Sequence, residues 1–220
     1  MTEPATADAR TQLEPDDDAL MRAFARGDAK AFERLYARHH AALYRFVRRV
    51  LGREAGTQAD EVFQDTWLRV VRARERWQPQ GATFRTWLFT LAHHRAIDQL
   101  RKSGREVSID DGDVDREPWQ PAADAAAWQA WPGAGAEVHA DSAQDRVFWR
   151  AAGQRLLDCL EALPAVQRSA FLLHHEDGLA LDELAHALEV GFETAKSRLR
   201  YAMSKLRTCM GAYLPQREGS

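Results

Sequence analysis

Glu193, Thr194, Lys196, Ser197, Arg198, Arg200, Tyr201 and Lys205 crowd into one stretch near the C-terminus. Cations there suit phosphates, while the hydroxyls, carboxylate and phenol suit base edges. Turning about 100° per residue from Leu199 gathers Ala195, Leu199, Ala202, Met203, Leu206 and Met210 on one side. Glu193, Thr194, Ser197, Arg198, Arg200, Tyr201, Ser204 and Lys205 are left on the opposite arc, with Lys196 at its border, so the stretch reads as a helix with an apolar face inward and a groove-reading face outward. Just upstream, Leu181, Leu184, Ala185 and Leu188 form a short amphipathic helix. Glu189 to Gly191 separate the two, the spacing of a helix-turn-helix corner. Glu189 stands where glycine would be easier, and a left-handed conformation there costs roughly 1 kcal/mol.

No constellation in the chain suits catalysis. Asp60, Glu61 and Asp65 cluster on one predicted helix without a nucleophile, phosphate loop or ligand spacing beside them. The pairs His39-His40, His93-His94 and His174-His175 point about 100° apart on a helix and cannot grip one metal together. No catalytic residue, cofactor or metal site is expected. Cys159 and Cys209 lie at core-compatible helical positions with no CxxC or CxxxH neighbour, and are expected as small buried hydrophobes and not as a redox pair.

The elements that position the polar face divide by charge. The chain's 220 residues carry a net charge of −3, but residues 16–105 carry +7 and residues 106–140 carry −7. A basic module is thus hidden behind a mild total. No apolar run approaches the roughly 20 residues of a membrane span. The acidic, polar N-terminus has no apolar segment of a leader peptide, so a cytoplasmic protein without membrane insertion is expected. The expected class is all-α: a tail at 1–15, a helical domain at 16–105, an acidic linker at 106–140, a second helical domain at 141–214 and a tail at 215–220.

Four helices fit the first domain. One runs from about Asp17 to Arg26; the next, capped by Asp28, repeats Phe32, Leu35, Tyr36, His39, Leu43, Phe46, Val47 and Val50 and ends at Gly52. A third opens at Thr57 with Asp60 as a capping box, and turns Phe63, Trp67, Val70 and Val71 inward. Its outer side sets Leu68 among Glu61, Gln64 and Asp65, an arrangement suited to docking a basic partner. A loop from Gln78 through Gln80 to Ala82 leads to the fourth helix, apolar at Phe84, Trp87, Leu88 and Leu91, then basic through Arg95, Arg101, Lys102 and Arg105. The linker is rich in Ala, Pro and Gly and carries Trp119, Trp128 and Trp131. The second domain opens with a helix from about Asp141 expected to bury Val147, Phe148, Leu156, Leu157, Leu160 and Leu163. Pro164 starts the next helix, and the helix-turn-helix closes the domain.

On these residues the chain resembles an extracytoplasmic-function sigma factor of bacterial RNA polymerase, of the sigma-70 family, from about Asp16 to Leu214. DDDALMRAFARGDAKAFERLYARHH and LYRFVRRVL resemble the family's first helices, ADEVFQDTWLRV its core-binding helix, and TFRTWLFTLAHHRAIDQLRK the segment that melts and reads the minus-10 element. ALPAVQRSAFLLHHEDGLALDELAHALEV with ETAKSRLRYAMSKLR resembles the minus-35 reader. The resemblance implies that Glu61, Gln64, Asp65 and Leu68 grip the clamp coiled coil of the largest polymerase subunit. It implies that Gln78, Gln80, Arg85, Trp87, His94, Arg95, Arg101, Lys102 and Arg105 open and hold the minus-10 strand. Glu193, Thr194, Lys196, Ser197, Arg198, Arg200, Tyr201 and Lys205 would read the minus-35 duplex. Implied partners are core RNA polymerase, including its flap region, promoter DNA and an anti-sigma factor. His93-His94 depart from the asparagine that members often carry there. A stand-alone helix-turn-helix regulator would keep the last helix but leave the Leu68 patch without a purpose.

Overall fold

The computed structural model describes residues 14–53, 55–79, 81–104 and 143–213, which form helices and connecting turns without a strand. Gln80, Arg105, the expected linker and most of both tails lie outside the described residues. The N-terminal unit comprises α1 (Asp17–Ala25), α2 (Ala29–Leu51), α3 (Gly56–Ala73) and α4 (Phe84–Lys102). The C-terminal unit comprises α5 (Ala143–Glu161), α6 (Ala165–His175), α7 (Leu181–Ala187) and α8 (Phe192–Met210), closed by a 3-10 turn at Gly211–Tyr213.

The helix starts follow from side chains that satisfy orphan amides. Asp16 accepts from Ala19 N at 2.6 Å, and Asp28 accepts from Lys30 N at 3.0 Å. Thr83 caps α4 by accepting from Thr86 N at 3.2 Å, while Asp18 reaches across from α1 to accept from Phe84 N at 2.7 Å. One expected cap is absent: α3 starts at Gly56 with Ala55 at its N-cap and no side-chain cap. Asp60, assigned to that box by its spacing, instead accepts from the Tyr44 hydroxyl of α2 at 2.9 Å.

Leu35, Phe46, Val50, Val70, Leu88 and Phe89 fill the N-terminal core, with Phe46 and Phe89 edge-to-face at 5.4 Å. Phe171, Leu172, Leu184, Leu199, Leu206 and Met210 fill the C-terminal one. The two units are not separate bodies in this structure. α7 and α6 pack on α4, and α6 with α5 packs on α2, so the buried apolar residues form one continuous cluster.

Two expectations for the C-terminal unit fail. Val147 and Phe148 are 70% and 42% exposed; Phe148 meets the Trp149 ring edge-to-face at 4.9 Å and the Tyr213 ring at a tilt at 5.6 Å. Cys159 and Cys209, expected as separate buried hydrophobes, are joined in a disulfide with their Cα atoms 5.8 Å apart. The packing of α5 against α8 brings together residues separated by 50 positions, a proximity that no local spacing reveals. Beside the bridge, both Nε and Nη2 of Arg155 donate to the Cys209 carbonyl at 3.2 Å, tying the C-terminal end of α8 to α5.

Candidate nucleic-acid interface

The corner between α7 and α8 closes as a Schellman motif. Glu189 N donates to His186 O and Val190 N to Ala185 O, both at 3.1 Å, and Glu189 takes φ 50°, the left-handed conformation its position demanded. Gly191, by contrast, is the extended N-cap of α8 at φ −64°. Because a side chain at positive φ is strained, Glu189→Gly is expected to raise thermal stability by up to about 1 kcal/mol. A chemical denaturation curve with an unchanged or lower midpoint would count against this corner geometry.

Seven of the eight residues expected on the reading face of α8 are at least partly exposed. Glu193 and Lys205 are fully on the surface, and Thr194, Lys196, Ser197, Arg200 and Tyr201 line the partly open arc. Lys196 lies 3.6 Å from Glu193, and the Arg200 guanidinium sits over the Tyr201 ring at 4.9 Å, which fixes its direction. Arg198 is the exception: it is only 8% exposed. It follows the apolar arc toward Ala202 and comes near enough to His93 of α4 to oppose charge there. The spacing alone placed it outward because it lies about 100° round the helix from Leu199, outside the apolar stripe.

The residues expected to open DNA gather at α4. Trp87, half-buried, packs at 6.0 Å from Phe84 and 6.3 Å from Trp77, and Gln78 is exposed just before them. Arg101 and Lys102 are exposed at the far end, where they also complement the negative pole of the helix. Arg85, His94 and Arg95 are engaged. Arg85 donates to the Asp177 carbonyl, Arg95 pairs with Asp65, and His94 lies 3.5 Å from Glu189. His93 beside it is buried, and burial, reinforced by His94, Arg198 and Arg101, pulls its pKa down to about 3, so it is neutral at physiological pH.

On α3, Glu61, Gln64 and Leu68 form one exposed patch, with Leu68 50% exposed. Asp65 borders it. Burial would raise its pKa, but the hydrogen bond from Arg69 at 3.0 Å and the charge of Arg95 outweigh burial and lower it, keeping the carboxylate ionised. The patch is therefore an apolar centre with Glu61 exposed at its rim and Asp65 paired to Arg69 and Arg95.

Other groups escaped sequence reasoning. Arg168 is 8% exposed and donates to four carbonyls: Arg49 O and Val50 O at 3.1 Å, Glu161 O at 3.0 Å and Leu163 O at 2.9 Å. Asp177 is buried, and burial raises its pKa to about 7 against the opposing charges of Arg85, Arg45 and Arg49. Only an acidic-basic alternation along HHEDG and RRVLGR hints at these contacts, and such runs are ordinarily solvated. No helix among the described residues is long and apolar enough to cross a membrane.

Comparison with known proteins matches residues 35–106 to sigma-70 region 2 and residues 153–206 to sigma-70 region 4. The chain is 31% identical over 196 residues to the ECF RNA polymerase sigma factor SigK of Mycobacterium sp. strain KMS, covering 89% of this chain and 91% of that one. It is 32% identical over 203 residues to SigK of Mycobacterium tuberculosis strain ATCC 25177 / H37Ra, covering 90% and 96%. Among solved structures, CnrH in complex with the cytosolic domain of CnrY aligns with TM-score 0.59 at 24% identity, over 90% of this chain and 99% of that one. The sigma factor RpoE in complex with the anti-sigma factor NepR from Bartonella quintana aligns with TM-score 0.55 at 23% identity, over 82% and 97%.

Proposed function

The chain belongs to the ECF sigma factors of RNA polymerase, and from that premise we propose which of its surfaces carries each step of promoter-specific initiation. As a sigma factor it binds core RNA polymerase and directs it to promoter DNA. Core polymerase docks on α3 through Leu68, Glu61, Gln64 and Asp65. The minus-35 duplex is read by the outer arc of α8, and the minus-10 strand is opened and held along α4 by Gln78, Trp87, Arg85, His94 and Arg95, with Arg101 and Lys102 on phosphates. Cationic contacts of this kind give affinity that falls with salt, while the Trp87 ring suits a base taken from the stack.

The observation that carries this reading is that region 2 matches residues 35–106, from within α2 through α4, and region 4 matches residues 153–206, from within α5 into α8, which supports one polymerase-facing and two DNA-facing surfaces on the chain. We place the unit boundaries near 105 and 141; the end of the region 2 match at 106 supports the first of them. An anti-sigma factor is a further partner, supported by the neighbour solved with NepR. Action in the cytoplasm follows from the site of transcription, and no catalytic role is assigned.

The test is transcription in vitro from a genomic fragment library with core polymerase, with and without this protein. New starts sharing two spaced upstream motifs are expected; a gel shift of the same fragments by the protein alone, with no new starts, would favour a self-sufficient regulator. With the promoter in hand, Lys196→Ala and Arg200→Ala should each weaken binding of the minus-35 duplex and lower the slope of log affinity against log salt by about 1. An unchanged slope would remove that residue from phosphate contact.

A further inference from the structure

Among the described residues, Tyr36, Leu68, Val147, Phe148 and Phe192 are large apolar side chains that stay exposed. Tyr36 stacks on His40 at 5.2 Å, Phe148 meets Trp149 and Tyr213, and Leu68 centres the α3 patch. Phe192 differs from these. It is 47% exposed, meets no ring of the described residues and stands outside the packed core cluster. Yet it continues the apolar stripe of α8, about 20° round from Leu199 seven positions later. Ala195 and Leu199 on that stripe are buried, so the stripe overruns the core by one turn. The overrun falls at the leading end of α8, where the N-cap Gly191 contributes no side chain and one added there would meet nothing within 4 Å. Lys196 follows one turn after Phe192, so the two side chains lie one above the other on a single flank. That flank joins a bare aromatic tip to a cation just behind it.

We propose that Phe192 is a specificity residue of the minus-35 reader, its ring packed on the 5-methyl group of a thymine in the major groove while Lys196 holds a neighbouring phosphate. This rests on the assignment of α8 to the minus-35 duplex and adds which base its tip reads. A recognition helix reaches base edges with its N-terminal residues, and Phe192 is the first helical residue of α8. The phenyl ring has no hydrogen-bond donor or acceptor, so the polar edges of guanine, cytosine and adenine offer it nothing. The thymine methyl is the apolar group that base pairs present in that groove, and removing it and the ring from water together is the gain open to a bare side chain there. The polar residues of the outer arc read donors and acceptors; Phe192 adds an A·T pair at a fixed place relative to the phosphate on Lys196.

The test uses core polymerase loaded with the full-length protein and a duplex carrying the minus-35 element found by transcription in vitro. Each thymine of the element, on either strand, is replaced in turn by deoxyuridine, which keeps the base pair and its hydrogen bonds and removes the methyl group alone. At one position the wild-type complex should bind about fourfold more weakly, the factor for one buried methyl. Phe192→Ala should lose at least that factor on the thymine duplex and no longer respond to deoxyuridine at that position. Its melting temperature should hold, because the ring fills no core. Phe192→Leu, still apolar, should recover part of the response, and Lys196→Ala should keep it while binding every duplex more weakly. An element without an A·T pair overturns the proposal. So does a deoxyuridine penalty that persists in Phe192→Ala, or a Phe192→Ala complex that binds every duplex like wild type, which would leave the ring to a protein partner. If scrambling the element weakens wild-type binding but no deoxyuridine does, Phe192 alone loses its role; if scrambling costs nothing either, the assignment of α8 falls with it.

Discussion

Leu68→Asp is expected to abolish promoter-dependent transcription at limiting protein while leaving the fold intact. Leu68 is half-exposed on α3, so in the free protein the substitution removes little packing and costs only the propensity difference between Leu and Asp, about 0.5 kcal/mol. At the proposed polymerase interface the same change removes an apolar anchor and sets an unpaired carboxylate beside the exposed Glu61. Lost apolar burial and the desolvation of an unpartnered charge together come to at least about 3 kcal/mol, a loss of core affinity on the order of 100-fold. Thermal melting should move by no more than a few degrees, and raising the variant's concentration should recover part of the activity. Wild-type transcription at limiting protein would show that α3 docks elsewhere or not at all.

Cys209→Ser should produce the largest change in stability. The bridge to Cys159 closes a loop spanning 50 positions, for which the chain-entropy account gives about 4 kcal/mol, with 2–4 kcal/mol the usual yield. For a unit of this size the melting temperature should fall by about 10 °C or more. Reductant should reproduce the shift in the wild-type protein and leave the variant unaffected. If melting of the wild-type protein is indifferent to reductant, the bridge contributes nothing measurable.

Periodicity carried most of the architecture. The helices, the Asp28 cap, the helix-turn-helix and even the left-handed Glu189 were legible, because each depends on residues within a few positions of one another. The Leu68 patch was legible for the same reason: an apolar residue on a charged arc is visible in a helical projection. The misses all have long-range causes. Cys159 and Cys209 meet only through the packing of α5 on α8. Asp60 turned from a cap to a partner of Tyr44 on another helix, and Val147 with Phe148 stayed largely exposed although Tyr213 meets Phe148. Arg198 lay on the polar side of its own helix and is buried, near enough to His93 of the other unit to oppose charge there. Residues whose environment is set by a second unit cannot be placed from a single helix's pattern, and Arg168, at the centre of that contact, gave no local signal at all.

The α8 helix is fastened at both extremities, by the Schellman corner at one end and by the disulfide and Arg155 at the other. Over 19 residues it spans about 28 Å, and it behaves as a strut braced into its frame, not as a probe that can swivel. Mechanically, then, the groove-reading edge moves only when the whole C-terminal unit moves. Any tolerance for promoters with differently spaced elements must be supplied by play between the two units, so a change in spacing should be felt as work done on that joint and not as a loss of fit at the bases.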